Sequence, residues 1–351
     1  MAPINREDVA LAERAERSEA LRAILARALP DAVIAPAWKL IARARRILLL
    51  AHHKPDPDAL GSALGLAHAL TPLGKRCVVA CADPVPDSFH FLPGYEAAVS
   101  ELPNEDFDLV LALDAGEMSR YGDLYTRHQA FFDQATILNL DHHRTSPGIG
   151  AYAIIDVPSA ATAELLTIIL ANRGVAIGRE AAICLLAGII TDTRSFEYDA
   201  TTERTLTAGA YLVSLGAIPE DIVKPMYRIQ PLAKARLWGS TLRSLRTAAD
   251  GRLAWATIRL EDLAATGATP DMDDGMPSSL KDIAGVEIAA LFRETPDGKT
   301  RVSLRTNAPY DAAALCARFG GGGHARAAGC TIEGDIDAAL ALVAPALEAA
   351  L

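Results

Sequence analysis

The chain has no C-x-x-C pair: its five cysteines, Cys77, Cys81, Cys184, Cys316 and Cys330, are scattered and odd in number. That pattern argues against a thiolate metal site and a disulfide framework, and it points to a reducing compartment. No apolar run reaches the roughly 18 residues that a membrane span needs. The first residues alternate charges with Ala and Leu where a signal peptide would carry an apolar core. A cytoplasmic location without a membrane partner is therefore expected. Positive charge is also short, with 34 Lys and Arg against 44 Asp and Glu and a formal net charge of −10. Long duplex nucleic acid, which is held by many neutralised phosphates, is not the partner expected of such a chain. Short anionic substrates are not excluded, because bound divalent cations invert the charge logic of an acidic site. Internal repeats and low-complexity tracts are absent as well.

What is present is length and alternation. At 351 residues, half of them hydrophobic, the chain suits two α/β domains of unequal size. Residues 6–29 read as an amphipathic helix stopped at Pro30, a packing or partner-binding extension that leaves a homodimer open. A second helix is expected at 38–45 and a buried strand at 46–51. Residues 60–73 read as a helix closed by Gly74, followed by strands at 76–82, 108–114 and 135–140 and an edge strand at 151–156. Helices are expected at 159–173, 178–190, 202–215 and 219–246, with Gly216 and Pro231 as breaks in the last two stretches, where the domains should connect. Strands at 253–260, 286–294 and 300–306, a helix at 310–319, four glycines and a final helix from Asp335 complete the pattern.

The chemistry concentrates at the ends of the apolar elements. His52-His53-Lys54-Pro55-Asp56-Pro57-Asp58 follows the first strand, Asp114 closes the third, Asp141-His142-His143 follows the fourth, and Asp192 lies at the end of a helix. In a parallel sheet the ligand crevice lies beyond the carboxyl ends of the strands, so such residues converge there. Each has a plainer reading alone. Asp58 could cap the next helix, Asp114 before Ala115-Gly116 could mark a turn, Asp192 could be a cap, and a His pair could be a surface group. The coincidence of four such segments favours a shared metal site. Carboxylates and imidazoles without thiolates suit Mn²⁺ or Mg²⁺, with Co²⁺ an alternative. His52, Asp56, Asp58, Asp114, His142 and Asp192 exceed the needs of one ion, whereas two ions about 3.5–4 Å apart would use them all. Pro55 and Pro57 stiffen the loop that carries Asp56 and Asp58.

These segments resemble, in order and spacing, the signature of the DHH phosphoesterases, named for the triplet that stands here as Asp141-His142-His143. Arg301-Val302-Ser303-Leu304-Arg305 and Gly320-Gly321-Gly322-Gly323-His324-Ala325-Arg326 resemble the DHHA1 domain that accompanies them. The likeness spans roughly residues 40–340, and domain pairing and length look most like the NrnA group. The resemblance implies an α/β fold: a parallel-sheet DHH domain with flanking helices, a helical linker and a smaller mixed α/β DHHA1 domain. Boundaries are expected at 1–35 for the N-terminal extension, 36–215 for the DHH domain, 216–245 for the linker and 246–351 for the DHHA1 domain.

It also implies roles for residues. His52, Asp56 and Asp114 would hold one divalent cation, and Asp58, Asp114, His142 and Asp192 the other, with Asp114 shared. Asp141 would orient a ligand, His53 would stand behind the ligands, and His143 would face the substrate. Asp114, Asp141 and His143 thus form the expected catalytic group. Gly321, Gly322 and Gly323 with His324, Arg326 and Arg305 would clamp a phosphate or terminal nucleotide, a stretch that alone reads as a flexible loop.

The implied activity is two-metal hydrolysis in an interdomain cleft, acting on short oligoribonucleotides or on 3′-phosphoadenosine 5′-phosphate. Cyclic or linear dinucleotide hydrolysis is the alternative. A pyrophosphatase should carry a different second domain, and a non-catalytic nucleotide-binding module should have lost a ligand. Arg194 stands where many relatives have Gly, and the N-terminal extension has no counterpart in the core pattern.

Overall fold

The structure, a computed structural model, describes residues 6–351, with side chains from residue 13 onward. Residues 1–5 of the expected N-terminal extension lie outside the described residues. The chain divides between Ile229 and Gln230 into two compact units.

In the first unit the elements run α1 (Arg6–Leu25), α2 (Asp31–Arg43), β1 (Arg46–Leu50), α3 (Pro57–Leu70), β2 (Arg76–Ala80), β3 (Leu109–Leu113), α4 (Gly122–Arg127), α5 (Gln129–Phe132), β4 (Ile137–Asp141), β5 (Tyr152–Ile155), α6 (Thr162–Asn172), α7 (Arg179–Asp192), α8 (Glu203–Ser214) and α9 (Pro219–Val223). The five strands form one parallel sheet in the order β2-β1-β3-β4-β5. All of β3 and most of β1 are buried, as uninterrupted Leu, Ile, Val and Ala runs require of strands covered on both faces. Strand order reverses between β1 and β3, and at such a switch point the connections leave in opposite directions and open a crevice at the carboxyl ends. Helices α3 and α7 pack backbone to backbone: a Cβ on Gly61 would lie 2.4 Å from the Cys184 carbonyl oxygen.

The helix expected at 38–45 is instead Asp31–Arg43, with Pro36 inside it. Ile34, Ala37 and Ile41, spaced three and four apart, are buried along its inner face. Their burial overrides the local cost of the proline.

The second unit contains α10 (Leu232–Arg243), β6 (Arg246–Ala248), β7 (Leu253–Ile258), α11 (Leu260–Thr266), α12 (Met276–Lys281), β8 (Ile288–Glu294), β9 (Lys299–Thr306), α13 (Ala312–Ala317), β10 (Gly322–His324), β11 (Ala327–Glu333) and α14 (Ile336–Glu348). Its mixed sheet has the order β10-β11-β9-β8-β7-β6, parallel only between β7 and β8. The period of two divides β8 between two cores. Ile288, Ala290 and Phe292 face α13 and α14, whereas Ala289 and Leu291 join Leu237, Met276 and Leu280 on the other side. The parallel sheet with flanking helices and the mixed second sheet are those expected from the sequence.

The four glycines, which taken alone read as a flexible loop over 320–323, are in part a strand: Gly322–His324 pair antiparallel with Ala327–Gly329 at the sheet edge. A Cβ on Gly321 would meet the Gly329 carbonyl oxygen at 2.3 Å, and one on Gly323 would meet that of Ala327 at 2.6 Å. Two of the glycines are therefore required by strand packing. Ala-Ala-Gly-Cys carries little β propensity, which hid β11 from sequence reasoning.

Candidate metal centre

Beyond the carboxyl ends of β1, β3 and β4 the side chains meet in one cluster. His52 is buried, and its Nδ1 lies 2.9 Å from the His53 carbonyl oxygen. A carbonyl only accepts, so Nδ1 carries a hydrogen, and the nitrogen left to ligate once the ring is neutral is Nε2. That Nε2 faces Asp56 Oδ2 at 3.6 Å and Asp114 Oδ2 at 3.5 Å. His142 repeats the arrangement. Its Nδ1 lies 3.1 Å from the Ser159 carbonyl oxygen, while Nε2 lies 3.5 Å from Asp114 Oδ1, 3.2 Å from Asp192 Oδ2 and 3.9 Å from Asp58 Oδ2. His142 Nε2 is buried yet makes no hydrogen bond. Each oxygen of Asp114 thus addresses a different imidazole.

The carboxylates are held by backbone and hydroxyl donors. Asp56, not Asp58, caps α3: its Oδ1 accepts the N–H groups of Asp58 and Ala59 at 3.0 and 2.9 Å, leaving Oδ2 for the cluster. Asp58 is fully buried and accepts the first amides of α6, Thr162 N–H at 2.7 Å and Ala163 N–H at 2.9 Å. Asp114 takes a left-handed backbone (φ 57°) and accepts the Thr162 hydroxyl at 2.9 Å. Such a conformation is costly for a residue other than glycine and concentrates at functional sites. Sequence reasoning does not single out Ser159 or Thr162, which read as ordinary turn and helix-start residues.

Asp141 is expected to orient a ligand, but its ring contact is to His143: Oδ1 lies 2.7 Å from His143 Nδ1 and also accepts the His142 and His143 backbone N–H groups. The orienting acceptor for His142 is the Ser159 carbonyl. His143 is half exposed, with Nδ1 3.8 Å from Asp114 Oδ1. His53 turns away, both its backbone N–H and Nδ1 lying 2.8 Å from the Arg120 carbonyl oxygen. Arg194 takes φ 48°, the backbone region a glycine would fill without strain.

Charge in this cluster is strongly coupled. Burial alone would depress the imidazolium of His52, but the facing Asp114 and Asp56 carboxylates outweigh it and push its pKa up to about 10. His142 is raised in the same way, to about 11, by Asp114 and Asp192 against the burial penalty. Burial drives Asp58 well above the usual carboxylate range, with Asp114 and Asp192 adding repulsion. Burial also raises Asp192, to about 6, while Asp114 is held low despite its burial by the facing imidazoles of His142 and His52. The hydrogen bond with Asp141 is the main cause that raises His143. Four carboxylates around two imidazole Nε2 atoms, which ligate once deprotonated, are a cation site by charge and by donor type. Among the described residues three sets of side chains could each hold an ion: His52, Asp56 and Asp114; Asp58, His142 and Asp192; and Asp114, His142 and His143.

In the second unit Arg305 pairs with Ala327, which pairs in turn with His324, so Arg305 and His324 share one face of the sheet. Gly322 and His324 are exposed, and Arg326 donates to the Tyr310 carbonyl oxygen.

A parallel sheet with His and Asp side chains at its strand ends, joined to a mixed-sheet domain, defines a class of phosphoester hydrolase. The family model for the DHH family, N-terminal domain, matches residues 46–189, and that for the DHHA1 domain matches residues 254–349. The chain belongs to this DHH/DHHA1 family of phosphoester hydrolases.

Among its relatives, the bifunctional oligoribonuclease and PAP phosphatase NrnA of Thermus thermophilus is 33% identical over 84% of this chain and 86% of its own length. The protein of that name from Bacillus subtilis is 27% identical over 82% of this chain and 89% of its own. Cyclic-di-AMP phosphodiesterase PdeA of Listeria monocytogenes is 26% identical, and the match covers 82% of this chain but 44% of that protein. A solved exopolyphosphatase-related protein from Bacteroides fragilis superposes with a TM-score of 0.82 at 25% identity, covering 92% of this chain and 97% of that one.

Proposed function

We propose that the protein hydrolyses short oligoribonucleotides to mononucleotides, 3′-phosphoadenosine 5′-phosphate to AMP, or both, in the cytoplasm. The observation that carries this reading is the split of Asp114, one oxygen toward His52 and the other toward His142. The unpartnered, buried Nε2 of His142 fits a cation better than it fits any protein donor or acceptor present. The NrnA relatives supply the substrate class.

Two divalent cations, Mn²⁺ first with Mg²⁺ or Co²⁺ as alternatives, would neutralise the phosphate and lower the pKa of an attacking water. His52, Asp56 and Asp114 would hold one, and Asp58, Asp114, His142 and Asp192 would hold the other. Asp141 fixes the His143 ring and favours its protonated form, which turns Nε2 into a proton donor for the leaving 3′-oxygen. Arg305, Gly321, Gly322, Gly323, His324 and Arg326 bind the adjoining phosphate or nucleotide, Arg305 through its planar pair of donors. Catalysis belongs to residues 36–215 and substrate binding to 246–351, with 216–245 as linker.

A second reading, hydrolysis of cyclic or linear dinucleotides such as pApA or pGpG, draws on the similarity to the Listeria phosphodiesterase. The test compares kcat/KM of the Mn²⁺-loaded protein on dinucleotides, a pentamer, a 3′,5′-bisphosphate, cyclic dinucleotides and pyrophosphate. Preference for the linear oligomers or the bisphosphate is expected, with turnover lost in a chelator and restored by Mn²⁺. Preference for cyclic dinucleotides or pyrophosphate would overturn the substrate assignment.

A further inference from the structure

The turn between β5 and α6, together with the first turn of α6, touches three of the six candidate ligands. Ser159 offers its carbonyl to His142 Nδ1 at 3.1 Å, Thr162 gives its hydroxyl to Asp114 at 2.9 Å, and the Thr162 and Ala163 amides go to Asp58 at 2.7 and 2.9 Å. What holds this segment is a charge triad of the partly buried Arg204 and two buried carboxylates, none of them a candidate ligand. Arg204, on α8, donates from Nη2 to Asp156 Oδ2 at 2.7 Å and to the Ser159 hydroxyl at 2.9 Å, and from Nε to Glu164 Oε1 at 2.7 Å. Asp156 Oδ2 also accepts the Ser159 hydroxyl at 2.7 Å. Glu164, fully buried, uses its other oxygen to accept the Ala160 N–H at 3.0 Å and the Thr205 hydroxyl at 2.9 Å. One guanidinium thus ties the first residue of the turn, Asp156, to Glu164 in the first turn of α6.

We infer that Arg204, with Asp156 and Glu164, is the positioning device of the metal centre: it fixes residues 156–164 and so sets the directions of the Ser159 carbonyl and of the Thr162 and Ala163 donors. The inference rests on the metal-centre reading above. Groups behind metal ligands fix ring orientation and ligand basicity. Here the brace needs arginine, because a planar fork can address two carboxylates at once with defined directions, whereas an ammonium is a point charge on a flexible stem.

The test uses the full chain with Arg204→Lys and with the charge-balanced pair Arg204→Met/Glu164→Gln. Both are checked for cooperative melting in the metal-free state, titrated with Mn²⁺ by calorimetry, and titrated with Co²⁺ while the visible absorption is recorded. The expected result is an affinity for Mn²⁺ lower by about 10–100-fold, with a changed Co²⁺ spectrum and the smaller loss in Arg204→Lys. A folded variant with wild-type affinity and spectrum would overturn the inference, as would failure of both variants to fold cooperatively. Absence of Mn²⁺ binding by the wild-type protein would instead overturn the metal-centre reading itself.

Discussion

Asp114→Asn tests the centre most directly. The amide keeps the shape of the carboxylate and can still accept the Thr162 hydroxyl, which Asp114 Oδ1 accepts at 2.9 Å, but it removes the one negative charge placed between His52 and His142. With Asp56, Asp58 and Asp192 the cluster then has three carboxylates, against the four that would balance two divalent ions. Two unit charges about 4 Å apart interact by about 4 kcal/mol at an effective permittivity near 20. At about 1.4 kcal/mol per decade that is roughly three orders of magnitude in affinity, and a divalent ion senses at least as much. Calorimetry should therefore show at least one ion lost, and release of mononucleotides or of phosphate should fall to background. Asp114→Ala should do the same with an added loss of stability. A folded Asp114→Asn protein that binds two ions with unchanged affinity and turns over like wild type would refute the shared-ligand argument.

Metal affinity should rise with pH. His52 and His142, with pKa values of about 10 and 11 in the metal-free protein, are protonated at neutrality and must lose that proton to ligate. Loading at pH 7–8 should release protons into a weak buffer, and the logarithm of affinity should climb by about one per pH unit for each ion; a pH-independent affinity would contradict the assignment of the two imidazoles. Gly188→Ala should harm both packing and metal binding, because the new Cβ would sit 2.4 Å from Asp58 Oδ1 and 2.7 Å from the Ala163 Cβ. A loss of about 1–3 kcal/mol is expected from urea unfolding of the metal-free protein, accompanied by weaker Mn²⁺ binding, and an unaffected Mn²⁺ titration would show that Asp58 is not a ligand.

Much of this molecule is local in origin. Runs such as Ile47-Leu48-Leu49-Leu50 and Leu109-Val110-Leu111-Ala112-Leu113 can only be strands covered on both faces, and parallel strands deliver the residues at their carboxyl ends into one crevice. That made His52, Asp114, His142 and Asp192 legible as companions in the sequence alone. The division of labour between Asp56 and Asp58 was not visible, since either carboxylate could cap α3 and the choice is made by the α6 amides, 104 and 105 residues further on, that claim Asp58. The pairing of Asp141 with His143 likewise depends on which imidazole the Ser159 carbonyl captures.

The sequence by itself determined the buried strands of the parallel sheet and the polar residues at their ends, because hydrophobic periodicity and strand termination are properties of short stretches. Tertiary structure alone decided how those donors are aimed. The tautomers of His52 and His142 are set by carbonyl oxygens, the two faces of Asp114 by the switch point between β1 and β3, and the Arg204 brace by a helix packed against a turn some 40 residues earlier in the chain. Direction at a metal centre is a long-range property, since each ligand's orientation is imposed by groups that only packing brings within hydrogen-bond reach.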